Sequence, residues 1–201
     1  YILCEFKQMI YRLEAKAILE KLQFNVKNNP KFFLEKIDAS INIKLDDDEL
    51  SKDFIKDFTE ILDNIGYKNK EEMFLNFYDV VNNLLENKYV IPKGIYGDTD
   101  SIFYCLHIKD KKTNEVIKDK SALIISIKFG IWSSILISTM LPAPMAQEYE
   151  KVLYPFIILT KKRYVGNLYE KNPNKFYQKS MGIVLKRRDN ANIVKIVCGN
   201  I

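Results

Sequence analysis

Histidine occurs once, at His107, and cysteine three times, at Cys4, Cys105 and Cys198, with no Cys-x-x-Cys pair among them. A zinc centre built within the chain needs clustered Cys and His, and a disulfide framework needs dense, closely spaced Cys. The sequence offers neither, and its cysteine usage is that of an intracellular protein. Each Cys reads as a small buried hydrophobe. Long apolar runs are also scarce. One stretch, 121–141, approaches the length of a membrane span, but it carries Lys128, several serines and a central Gly130. A buried core helix is the better reading, and no membrane partner is expected. Nothing with the pattern of a signal peptide opens the chain.

Acidic residues are nearly missing from the last quarter. Between 151 and 201, eleven Lys and Arg face only Glu170 and Asp189, whereas between 28 and 90 eight basic residues face fourteen acidic ones. The overall charge of +5 hides this asymmetry. A polyanion would bind the C-terminal quarter and be repelled by the earlier segment.

Among what is present, the six residues Tyr96-Gly97-Asp98-Thr99-Asp100-Ser101 stand out. They lie between two short β-rich apolar runs, 89–95 and 102–108, and a Gly-Asp pair in that setting predicts a β-hairpin with carboxylates at its tip. Carboxylates at a tight turn can hold Mg²⁺, which takes oxygen ligands together with substrate phosphates. Further on come Glu148-Tyr149-Glu150-Lys151, then Tyr154-Pro155-Phe156, then Lys161-Lys162-Arg163-Tyr164-Val165-Gly166. Cations beside an aromatic suit contact with a nucleic-acid backbone and the minor-groove edge of a duplex. A third string runs from Met181-Gly182-Ile183-Val184-Leu185 through Lys186-Arg187-Arg188 to Asp189-Asn190-Ala191. Its basic cluster suits phosphates.

These three strings, in this order, resemble the palm and the start of the thumb of family B DNA polymerases. The likeness covers roughly residues 89–199, and the third string is closest to the replicative polymerases of large DNA viruses and of the eukaryotic delta type. The abundance of Lys, Asn and Ile suits an AT-rich genome such as that of a large virus. The resemblance implies an α+β fold, with an antiparallel palm sheet backed by helices and the beginning of a helical thumb. It implies palm helix over 1–27, catalytic hairpin, helix and strands over 89–180, and thumb from 181 to 201, while 28–88 match nothing in that palm and read as a helical insertion.

The same resemblance implies template-directed addition of deoxynucleotides to a primer 3′-hydroxyl by a mechanism using two Mg²⁺ ions about 3.5–4 Å apart. Asp100 corresponds to the main metal ligand and Asp98 to a less direct one, with Tyr96, Gly97, Thr99 and Ser101 completing the motif. Glu150 is expected near the metal site. Lys161, Lys162, Arg163 and Tyr164 are expected to grip the primer–template duplex, with Lys186, Arg187 and Arg188 on phosphates at the thumb entrance. The implied partners are primer–template DNA, deoxynucleoside triphosphates, the rest of a polymerase chain and a sliding clamp, at a nuclear or cytoplasmic replication site.

Departures from the family pattern matter too. The chain has no Asp-x-x-Ser-Leu-Tyr-Pro string, which carries the other metal-binding Asp, and no Lys-x-x-x-Asn-Ser-x-Tyr-Gly helix for the incoming nucleotide. No exonuclease acidic motif occurs. The chain therefore reads as an internal piece of a longer polymerase, inactive by itself. Two other classes compete. A non-catalytic nucleic-acid-binding module would keep the basic strands but has no need of both Asp98 and Asp100. A reverse transcriptase usually carries adjacent aspartates, which Thr99 separates here.

The rest of the chain reads by periodicity. Residues 2–24 form an amphipathic helix pattern. Two more follow, one from the acidic run Asp46-Asp47-Asp48-Glu49 through Phe54, Phe58, Ile61 and Leu62 to Gly66, the other after Asn69 through Met73, Phe77, Val81 and Leu84. Acids at a helix start complement its dipole and need no metal to explain them. This segment is expected as an excursion at the palm's edge that the chemistry would tolerate losing. Residues 109–120 read as a loop, 152–160 and 164–169 as strands, 170–180 as a polar turn, 180–185 as a third strand, and 188 onward as a helix.

Overall fold

A computed structural model describes residues 16–28, 48–65, 70–98, 100–142 and 144–183. The fold is α+β: among these residues there are four helices and three small antiparallel sheets. The helices are α1 (16–28), α2 (Asp48–Asn64), α3 (Lys70–Leu84) and α4 (Lys120–Met140). The strands are β1 (Lys88–Tyr89), β2 (Lys93–Gly97), β3 (Ile102–Cys105), β4 (Lys109–Asp110), β5 (Val152–Thr160), β6 (Arg163–Tyr169) and β7 (Tyr177–Met181). They fall into two compact units, Tyr1–Tyr149 and Glu150–Ile201.

In the first unit the core is helical. Leu19, Leu22 and Val26 of α1 are buried, and Gln23 Nε2 donates to the Leu62 carbonyl of α2 at 2.8 Å. The periodic residues Phe54, Phe58, Ile61 and Leu62 of α2 and Met73, Phe77 and Val81 of α3 are all buried to within 1%. They pack against α4, with Phe54 on Trp132 at 5.7 Å and Phe77 on Phe129 at 5.5 Å between ring centroids. Lys128 of α4 reaches Asp57 of α2 at 2.8 Å. The two helices expected as an excursion at the edge contribute many of the fully buried side chains of this unit. Glu60, Asp63 and Asp79 are exposed, while the apolar stripe faces inward.

α4 is long and apolar enough to cross a membrane by length and composition, yet 56% of its most apolar window is buried inside the protein. It is apolar on every side, as a helix enclosed by its neighbours must be. Ser133 and Ser134 are buried, and each donates back to a carbonyl three residues earlier, Gly130 at 3.0 Å and Ile131 at 2.9 Å. Asp119 caps the N-terminus by accepting from Ala122 N–H at 3.1 Å. The helix stops before Pro142, which cannot continue it. Midway along it, Gly130 lies against the Tyr149 ring so closely that a Cβ there would meet Tyr149 Cδ2 at 2.6 Å.

The two apolar runs of the sequence are each broken once, for local reasons. Pro92 lacks the N–H that a continuous ladder would need, which separates β1 from β2. His107 has a φ of 39°, which separates β3 from β4. The segment from Lys109, read as a loop, contains β4, which pairs with β1 in the register Lys88↔Asp110 and Tyr89↔Lys109. Asp110 organises the turn that follows by accepting from Lys112 N–H at 2.8 Å and Thr113 N–H at 3.0 Å. Those two donors, Thr113 first, hold its carboxyl below the usual carboxylate range.

The second unit is a three-stranded meander, β5-β6-β7. Gly166 of β6 lets the chain pass within 2.7 Å of the Pro155 carbonyl, measured from where a Cβ would stand. β7 begins at Tyr177, three residues earlier than expected. Asn172 closes the preceding turn, accepting from Asn174 N–H on its side chain at 2.8 Å and from Lys175 N–H on its carbonyl at 3.2 Å. With the reversal finished by residue 175, Tyr177 is already free to pair with Leu168.

Candidate functional site

The hairpin predicted around residue 98 is present. β2 and β3 pair antiparallel from Lys93↔Cys105 to Gly97↔Ile102, and Asp98 N–H donates to the Ser101 carbonyl at 2.9 Å to close the tip. Asp100 is exposed and Asp98 half-buried. The Tyr96 hydroxyl donates to Asp98 Oδ2 at 3.2 Å, and its ring leans on Phe103 at 5.6 Å. A register shift between Gly94 and Tyr96 leaves the exposed Ile95 out of the pairing. Such a bulge bends the strand and re-aims the side chains beyond it. Thr99 lies outside the described residues.

The base of the hairpin is fixed as firmly as the tip is open. Val90, Leu106 and Ile108 are buried, at 0%, 7% and 4% exposure. Val90 belongs to no ladder, and its backbone groups are met by side chains of α3. Val90 N–H donates to Asn82 Oδ1 at 2.7 Å, while its carbonyl accepts from Tyr78 Oη at 2.5 Å and Asn82 Nδ2 at 3.3 Å. The outgoing strand approaches α4 through Tyr104 Oη and Ser133 Oγ, 3.4 Å apart. Sequence reasoning passed over Tyr78, Asn82 and Ser133. The available signal was a polar pair spaced i, i+4 beside the apolar stripe of α3, which places both on one face.

The basic string forms the β5–β6 turn. Lys161 and Lys162 are its exposed loop, Thr160 pairs with Arg163, and Lys162 has a left-handed φ of 61°. Gly182, itself at φ +62°, lies beneath that turn, and a Cβ on it would meet the Lys162 carbonyl at 2.2 Å. Arg163 is exposed. Tyr164 differs from expectation: only 6% exposed, it packs edge-on against Phe156 at 5.6 Å and offers no open ring face to a duplex. Alternation along β6 turns Arg163 outward and Tyr164 inward, so neighbours in the string have opposite roles. Glu150 is exposed and ion-pairs with Lys151. Burial lowers the pKa of the Lys151 ammonium, the Lys179 charge adds to that, and Glu170 opposes it. Lys186, Arg187 and Arg188 lie outside the described residues, as do Cys4 and Cys198; Cys105 is half-buried.

Asp98 and Asp100 offer the hard oxygen donors that Mg²⁺ takes. Among the described residues no group of three His, Cys, Asp or Glu comes together, so the pair fits part of a metal shell that other oxygens would complete.

Residues 16–201 match the sequence profile of DNA polymerase family B. The chain belongs to that family. It is 58% identical over 107 residues to a DNA polymerase of Pyramimonas orientalis virus, a match covering 53% of this chain and 9% of the relative. To a DNA polymerase of Acanthamoeba polyphaga mimivirus it is 53% identical over 111 residues, covering 55% and 6%. The DNA polymerase delta catalytic subunit of Candida albicans is 36% identical over 106 residues, covering 52% and 9%. The chain thus spans less than a tenth of the length of these family B relatives.

Proposed function

We propose that this chain is the part of a template-directed DNA polymerase that carries one half of the catalytic carboxylate set and a grip on the primer–template duplex. The observation that supports this best is the hairpin of a family B member with two carboxylates at an open tip and a buried, hydrogen-bonded base. Asp100 and Asp98 would hold Mg²⁺ together with carboxylates outside this chain. Bound there, two such ions would acidify the primer 3′-hydroxyl and neutralise charge on the triphosphate. The chain's own part is to place and orient oxygen donors: Asp100 presents its carboxylate to solvent, and Tyr96 holds one oxygen of Asp98. Lys161, Lys162 and Arg163 would contact the duplex backbone, whose phosphates attract clustered cations whatever the base sequence. Tyr164 supports that turn from within. Palm through residue 180 and thumb from 181 are carried with this reading, as are deoxynucleotide substrates, a clamp partner and an intracellular site of replication.

The test separates the two places. In the intact protein, Asp100→Asn should abolish nucleotide incorporation while leaving primer–template affinity near normal. Lys161→Ala or Arg163→Ala should weaken duplex binding, shorten products and reduce the salt slope by about one counterion. Primer extension and equilibrium DNA binding over a salt series measure both. Incorporation that survives Asp100→Asn would sink the catalytic assignment and leave a binding module. Unchanged salt slope and product length would sink the duplex grip.

A further inference from the structure

We infer that Asn82 of α3 is a positioning residue for the hairpin carboxylates, acting through the backbone of Val90. The inference rests on the polymerase reading of that hairpin and assigns part of its geometry to a helix with no catalytic group of its own. Val90 is fully buried and outside every ladder, so its N–H and carbonyl must be satisfied locally or remain costly orphans. Asn82 meets both with one planar amide, accepting from N–H at 2.7 Å and donating to the carbonyl at 3.3 Å. That is the donor–acceptor pair a neighbouring strand would present. The side chain therefore stands in for a ladder partner where Pro92, two residues on, cannot donate.

The next residue fixes the register. Ile91 N–H donates to the Leu106 carbonyl at 2.7 Å, and β2 and β3 follow from that pair to the tip. A slip of one residue in either strand would turn every side chain beyond it to the opposite face, Asp98 included. The tip closes with the Asp98 N–H to Ser101 carbonyl hydrogen bond at 2.9 Å, and the base held by Asn82 anchors the same register at its other end. Asn82 also sits in a rigid setting. Its carbonyl, in the last turn of α3, accepts from Lys111 Nζ at 2.9 Å, a cation at the negative end of the helix. Four residues earlier, Tyr78 adds its hydroxyl to the same Val90 carbonyl.

The test uses the intact protein with Asn82→Ala, Asn82→Asp and, as control, Asn83→Ala at the exposed neighbouring position. Amide hydrogen exchange over residues 90–106 is read beside the rate constant for single-nucleotide incorporation and the primer–template Kd. Asn82→Ala should speed exchange by on the order of tenfold and lower kcat by on the order of tenfold, with Kd unchanged. Asn82→Asp keeps the acceptor for Val90 N–H and loses the donor, so it should fall between. Asn83→Ala should match the parent. Unchanged exchange and kcat in Asn82→Ala would overturn the inference. Faster exchange with undiminished kcat would overturn it too, because the contact would then serve stability alone. Should the Ala variant fail to fold, the same two readouts on Asn82→Asp decide. If the parent itself incorporates no nucleotide, the polymerase reading fails, and exchange still reports whether Asn82 holds the hairpin.

Discussion

Asp119 shows how much one side chain can do at a helix end. Its carboxylate accepts from the Ser121 hydroxyl and the Ala122 N–H, satisfying one of the donors that a helix N-terminus leaves without intrahelical partners. The Ser121 hydroxyl first, then the Ala122 N–H, hold its pKa below the ordinary value of 3.8. A carboxyl depressed on folding contributes stability above its unfolded pKa and loses it as pH falls through the folded one. Asp119→Ala should therefore melt earlier than the parent at neutral pH, and the gap should narrow as pH falls below 3.8 and through the lower folded-state value. Thermal melts of parent and variant across that range are the check. A gap of constant size would show that the charge of Asp119 plays no part.

At the scale of elements, the β5–β6 hairpin divides its basic string by strand alternation. Arg163 and the Lys161-Lys162 loop face solvent, while Tyr164 is packed on Phe156. Truncating a buried aromatic removes its transfer energy and leaves a cavity, costing about 3–5 kcal/mol. Tyr164→Ala is thus expected to lower stability and weaken DNA binding together, whereas Lys161→Ala weakens binding with stability unchanged. Denaturant titration beside DNA titration distinguishes them. Weakened binding by Tyr164→Ala at full stability would return the ring to the duplex surface. Gly182 belongs to the same arrangement, since only a residue without Cβ fits its positive φ against the Lys162 carbonyl.

At the scale of the first unit, α2 and α3 carry much of the buried apolar core. Phe54, Phe58, Ile61, Leu62, Met73, Phe77 and Val81 are fully buried. Even at about 1.5 kcal/mol each, their burial rivals the roughly 5–15 kcal/mol by which a typical domain is stable. Removing 48–84 should leave α4 without its cover, the Lys128 ammonium without Asp57, and Val90 without its side-chain partners. The expected product is insoluble or lacks cooperative unfolding, with no primer extension. A soluble deletion variant that unfolds cooperatively and extends primers would show these helices to be dispensable.

Elements whose physics is local were legible in the sequence. The helical stretches of α2 and α3, the burial of α4, the hairpin tip at Gly97-Asp98 and the strands β5 and β6 follow from periodicity, capping and turn chemistry, which act over one to four residues. The strand breaks at Pro92 and His107 and the early start of β7 were harder to see, because each depends on which partner a strand finds. The candidate carboxylates were visible because a turn must expose its tip. What sets them in place was not. Asn82 and Val90 are eight residues apart, Tyr104 and Ser133 twenty-nine, Asp57 and Lys128 seventy-one. For hydrogen bonds and ion pairs at such separations, spacing along the chain can put two polar groups on one face, as with Tyr78 and Asn82, but it does not name the partner they meet. Such contacts arise only once apolar faces have packed, when each polar group shut away from water must be met by whichever group packing has brought beside it.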